Sequence, residues 1–99
     1  MRITDIRLLE GDGQRVLARC SIVLDEMIAV HGLAILPGRA GGLYLAMPKF
    51  KHSDGSMRDT AHPINAETRR YLEDQVFAAY REGRVEKRPR AEPATASEY

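Results

Sequence analysis

Ninety-nine residues with 43% hydrophobic and 29% charged side chains suffice for one domain around one core, and no collagenous, fibrous or repeat pattern is present. The formal net charge is only +1, so attraction to a polyanion must come from local clustering rather than from bulk charge. A lone cysteine, Cys20, excludes an internal disulfide; with no apolar leader and no run of membrane-spanning length, a reducing, cytoplasmic setting without membrane association is expected.

Arg2 to Leu9 alternates, with Thr4, Ile6 and Leu8 on one face and Ile3, Asp5, Arg7 and Leu9 on the other, which predicts a half-buried strand. Glu10-Gly11-Asp12-Gly13 supplies what a chain reversal needs, so the run from Val16 to Leu24 is expected to return as a hairpin partner. Within it Val16, Ala18, Cys20, Ile22 and Leu24 share a face, which turns Cys20 inward as a small inert hydrophobe. Asp25-Glu26 reads as a tight connection. Met27 to Leu36 is then apolar almost throughout, with Ile28 and Val30 facing one way and Met27, Ala29, Leu33 and Ile35 the other. Such a strand wants cover on both faces, and one helix shields only one side of a small sheet. Strong curvature or a second copy must cover the rest, and a homodimer is the expectation. His31, alone on this strand, reads as a hydrogen-bonded residue rather than a ligand.

Pro37 to Gly42 is a loop, and it lacks the GxxxxGK[ST] spacing of a phosphate cradle. Leu43 to Met47 forms a short strand that Pro48 ends. Lys49 to Ser56 reads as an exposed basic loop containing an Asp54-Gly55 turn, followed by a second short strand near Met57 to Ala61. Asn65 is a good N-cap for a helix from Ala66 to about Glu82, with Leu72, Val76, Ala79 and Tyr80 at helical spacing and Gly83 as its stop. Arg69 with Glu73 and Arg70 with Asp74 are placed to pair along its outer face. From Arg84 the composition turns polar and Pro-containing without periodicity, so residues 1–83 are expected to form the domain and 84–99 a disordered basic and polar tail. The fold class predicted is α+β: a small, mostly antiparallel sheet of about four to five strands, with one C-terminal amphipathic helix packed on it, as a dimer.

Function is expected in the basic loop. Lys49, Lys51 and Arg58 cluster around the Asp54-Gly55 turn, where lysine suits phosphate and arginine can bond bidentately to phosphate or a guanine edge. Phe50 between the lysines can stack on an unpaired base or pack back on the sheet, and the residues alone leave both readings open. An enzyme is not expected: the three histidines and Cys20 lack metal-ligand spacing, no GxSxG or HExxH occurs, and Asp54 and Asp59 flank a turn where carboxylates are routine. No cofactor, metal or small-molecule substrate is expected either.

Ile3-Thr4-Asp5-Ile6-Arg7-Leu8, Gly42 to Pro48 with its Ala46-Met47-Pro48 end, Asp54-Gly55, Arg58-Asp59 and Ala61-His62-Pro63-Ile64-Asn65 together resemble the SpoVG family of bacteria, stage V sporulation protein G or septation protein, from about Arg2 to Gly83. The resemblance implies a small dimeric protein of antiparallel sheet plus helix that binds DNA and RNA as a regulator and influences septation, sporulation and gene expression. It also implies nucleic-acid contact through the loop after the Ala-Met-Pro motif, here Lys49, Phe50, Lys51 and His52, with Arg58 beside it. A dimeric interaction or scaffold factor in cell division, without direct nucleic-acid binding, is the alternative reading.

Overall fold

Period-two alternation before Pro48 and helical spacing after Asn65 call for a sheet layer and a helix layer. The computed structural model, which describes residues 1–87, contains both. Strands β1 (Ile3–Glu10), β2 (Ala18–Leu24), β3 (Ile28–Pro37) and β4 (Leu43–Ala46) form an antiparallel meander. A separate two-stranded hairpin follows, β5 (Lys49–Lys51) with β6 (Met57–Asp59), and then the helix α1 (Ala66–Arg81) and a last short strand, β7 (Val85–Glu86). The five-stranded sheet runs β4-β3-β2-β1-β7, antiparallel except where β7 lies parallel to β1. The α+β class expected from the sequence is the class observed.

Alternation fills the core from one face of the sheet. Leu8, Ala18, Cys20, Ile22, Leu33, Ile35 and Leu45 are buried against Leu72, Val76 and Ala79 of α1. Cys20 points inward as expected, and burial pushes its thiol up to about 12, which leaves it protonated and unreactive near neutral pH. The second strand starts later than the alternation suggests. Asp12 Oδ1 accepts hydrogen bonds from the backbone N–H groups of Gln14, Arg15 and Val16 at 2.8, 2.9 and 3.0 Å, which holds Val16 in the turn.

In β3 the simple two-face reading fails at His31-Gly32. Cys20 pairs with Leu33 but Ile22 pairs with Val30, so β3 carries one residue more than β2 across this step, a β-bulge with Gly32 at φ +89°. The extra residue brings Val30 onto the core side with Leu33 and Ile35, instead of opposite them. His31, displaced by the bulge, bonds through Nδ1 to Ser21 Oγ at 2.8 Å, in line with a structural role. Gly32 also makes room: a Cβ there would stand 3.2 Å from Cβ of the buried Pro48, the residue from which the β5–β6 hairpin departs.

Asn65 caps α1 as expected, its side chain accepting from Thr68 N–H at 2.7 Å. The helix ends in a Schellman motif: Gly83 N–H bonds Tyr80 O at 3.0 Å and Arg84 N–H bonds Ala79 O at 3.2 Å, with Gly83 at φ +78°. That reversal sends the chain back along β1, where Val85 and Glu86 pair with Leu8 and Leu9. The sheet therefore extends past Gly83, beyond the domain end read from composition; residues 88–99 of the expected tail lie outside the described residues. Arg69 does pair with Glu73 at 3.3 Å, but it does more than solubilise the helix. Its Nη2 donates to Leu45 O at 3.0 Å and its guanidinium lies 5.5 Å from the centre of the Tyr44 ring, so it closes part of the outer edge of β4.

Candidate nucleic-acid interface

The stretch expected as a loop, Lys49 to Ser56, opens with a strand, β5, and only the five residues from His52 to Ser56 lie between it and β6. Lys49, Phe50 and Lys51 pair with Asp59, Arg58 and Met57 respectively, and the pairing is closed at the base by Thr60 N–H to Pro48 O and at the tip by His52 N–H to Ser56 O, both 2.8 Å. The tip is a three-residue connection, and Gly55, at φ +90°, donates its N–H to His52 O at 2.9 Å. Asp54 locks it, its Oδ1 accepting from Ser56 Oγ at 2.7 Å and Ser56 N–H at 2.9 Å. Those bonds hold the Asp54 carboxyl below the usual carboxylate range, the hydroxyl contributing most.

Pairing splits the five predicted contact residues between the two faces of the hairpin. Strand alternation puts Phe50, His52 and Arg58 on one face and Lys49 and Lys51, with Met57 and Asp59, on the other. The three cations expected as one cluster are thus not gathered together. Phe50 is 46% exposed and does not pack into the core; its ring centre lies 4.4 Å from that of His52, with planes tilted by 39°. His52 Nε2 is shielded from solvent and has no hydrogen-bond partner. Arg58, across from Phe50, is exposed and without an acidic partner among the described residues. The same holds for Lys51, which faces the exposed Met57.

Lys49 is different. Its Nζ lies 2.7 Å from Asp59 Oδ1, and the hydrogen bond and charge of Lys49, with the charges of His62 and Arg69, hold the Asp59 carboxyl below its usual value. The sequence reading treated Asp59 as a routine turn carboxylate and missed this pairing. The signal was available: once Asp54 is taken as the centre of the hairpin, positions equidistant from it face one another, and Lys49 faces Asp59.

Behind the hairpin base lies a feature no sequence pattern announced. A groove of about 450 Å³ runs between Met47-Pro48, the end of the β2–β3 hairpin and the corner from Ala61 to Asn65, floored by Leu33 and Leu72. Ile64 stands at its rim, 88% exposed. His62 at this corner bonds through Nδ1 to Pro63 O at 3.1 Å. Among the described residues no three His, Cys, Asp or Glu side chains gather as a metal ion requires, and no helix is long and apolar enough to cross a membrane.

A five-stranded sheet covered on one face by a C-terminal helix, with a basic two-stranded hairpin leaving it between the last antiparallel strand and the helix, defines a compact α+β class of protein. The SpoVG family profile matches residues 1–82. A Staphylococcus saprophyticus protein named "Putative septation protein SpoVG" is 45% identical over 84 residues, 83% of this chain and 81% of that protein. Proteins of the same name from Staphylococcus aureus and Bdellovibrio bacteriovorus are 43% and 41% identical, over 83% and 81% of this chain and 82% and 73% of theirs. The chain belongs to the SpoVG family.

Proposed function

We propose that this chain is a nucleic-acid-binding regulatory protein of the SpoVG type, acting in the cytoplasm as a homodimer and influencing septation, sporulation and gene expression. What supports nucleic-acid contact above all is the hairpin itself: a strand pair with Lys51 and Arg58 unpartnered by acid on its two faces and a half-exposed Phe50 across from Arg58. Cations of this kind contact phosphates, and an exposed ring can take an unpaired base of DNA or RNA. One copy offers few contacts and should bind weakly. With Lys49 matched by Asp59, a dimer presents about four hairpin cations free for phosphate, so the logarithm of the duplex binding constant should fall with log salt at a slope of about −3.6.

The test is a gel-shift titration at two salt concentrations with duplex and single-stranded probes, on the parent protein and on a Lys51→Ala, Arg58→Ala double variant. Salt-sensitive retention that the double variant loses supports the reading; an unchanged isotherm discards the hairpin as the contact surface.

The apolar groove and the exposed Met27, Ile28 and Ile64 favour association with protein as well. They support the homodimer, and they keep open a scaffold role in division without direct nucleic-acid binding. That second reading predicts no retention of either probe at physiological salt, together with a specific protein partner.

A further inference from the structure

On the face of the hairpin that carries both lysines, the two are not equivalent. Lys51, toward the tip, faces Met57 and no acid; Lys49, toward the base, is held at 2.7 Å by Asp59. Arg58 and Asp59 are adjacent in β6, so alternation places a cation on the ring face and an anion on the lysine face. One carboxylate therefore subtracts one lysine from the surface offered to a polyanion, while Arg58 on the opposite face is untouched. The pair is exposed on both sides, at 41% and 35%, and makes no contribution to the core. Exposed pairs of this kind add little to folding stability, so packing gives no reason for an acid at this position.

We propose that Asp59 is an internal competitor of the nucleic acid: its carboxylate occupies Lys49 and withholds that charge from phosphate, which limits how tightly and how salt-sensitively the hairpin binds. This rests on the nucleic-acid reading above and adds a residue that regulates the same site. Withholding Lys49 confines contact to the tip. There the ring and guanidinium of Phe50 and Arg58 weigh more against simple charge attraction than they would beside two free lysines.

Removing the competing charge should release Lys49. Asp59→Asn keeps the side-chain shape and is expected to steepen the salt slope on a duplex oligodeoxynucleotide by about 0.9 for each copy bound, about 1.8 for a dimer, which at about 0.1 M salt corresponds to a gain in affinity of about eightfold per copy. Adding Lys49→Ala to Asp59→Asn should return the slope to the parent value. Glu82→Gln makes the same change in net charge at the far end of α1 and should leave the slope alone. The proposal is overturned if Asp59→Asn leaves the slope unchanged, if its gain survives the loss of Lys49, or if Glu82→Gln matches it. Coincident urea transitions for all variants establish that folding is not what changed. A parent protein that retains no probe at low salt defeats the nucleic-acid reading itself and this inference with it; a parent that binds, beside an unaltered Asp59→Asn, defeats the inference alone.

Discussion

The sheet-and-helix body and the β5–β6 hairpin use their side chains for opposite ends. In the body, Leu8, Leu33, Ile35, Leu45 and Val76 are fully buried, and each strand is chosen on one face for packing. In the hairpin every residue of β5 and β6 is exposed, and the shape is kept by backbone pairing, the Asp54 turn and the buried Pro48 at its foot. A segment with no core of its own is free to carry residues suited to contact. Stability and binding should then respond to different substitutions, and the separation can be tested from either side.

The largest effect is expected in the body. Leu45→Ala empties a fully buried site on β4 and should lower unfolding stability by about 2–5 kcal/mol in a urea titration. Nucleic-acid affinity per folded molecule should be unchanged. A matching loss of affinity would mean that hairpin and body are not separable. Phe50→Ala is the converse: stability within about 0.5 kcal/mol of the parent, but single-stranded binding weaker by about 1–3 kcal/mol if the ring stacks on a base. Fluorescence anisotropy with a single-stranded probe checks it.

A smaller effect sharpens the boundary between the two regions. Gly55 has φ +90°, so Gly55→Ala should strain the turn by about 1–2 kcal/mol. Because nothing in the core rests on that turn, the cost should appear as faster amide exchange at His52 and Ser56, with the global urea midpoint little moved. A midpoint shifted in step with exchange would show that the hairpin opens only when the body does.

The same contrast explains what the sequence disclosed. Alternation exposed β1 and β2, near-continuous apolar runs exposed β3 and β4, and Asn65 with the spacing of Leu72, Val76 and Ala79 marked α1, because burial leaves its pattern on each. Two features of the body escaped. The bulge at His31-Gly32 reverses the parity of β3 partway along, which a pattern read over the whole run averages out. β7 is held by pairing with β1 after a Schellman turn, and its two residues are too few to show alternation. The hairpin was legible as a place but not as a geometry. Its composition named Lys49, Phe50, Lys51 and Arg58, and the SpoVG resemblance added His52, yet with neither face buried no period revealed which of them share a side, and the neutralisation of Lys49 depends on a cross-strand register that composition does not carry.

The smallest effect concerns pH and separates the two regions again. Asp54 and Asp59 have carboxyls held below their usual values, by Ser56 and by Lys49 respectively. A depressed acid favours the folded hairpin above the unfolded carboxyl value of about 3.9, and that contribution is lost as pH falls through the folded value. Cys20 lies at the other extreme. Its thiol is raised from the usual 9.0 to about 12, so its contribution to the body is fully present below 9.0 and is lost as pH rises toward about 12. Acid should therefore loosen the hairpin, along with the Asp12 turn before β2, whose carboxyl is likewise lowered by its backbone hydrogen bonds, and alkali the core. Amide chemical shifts followed downward from pH ~5 should move at Phe50, Ser56 and Arg58 before they move at Leu33 or Val76, and Asp54→Asn should remove its share of that early step. Simultaneous movement of hairpin and body in acid would tie the two into one cooperative unit.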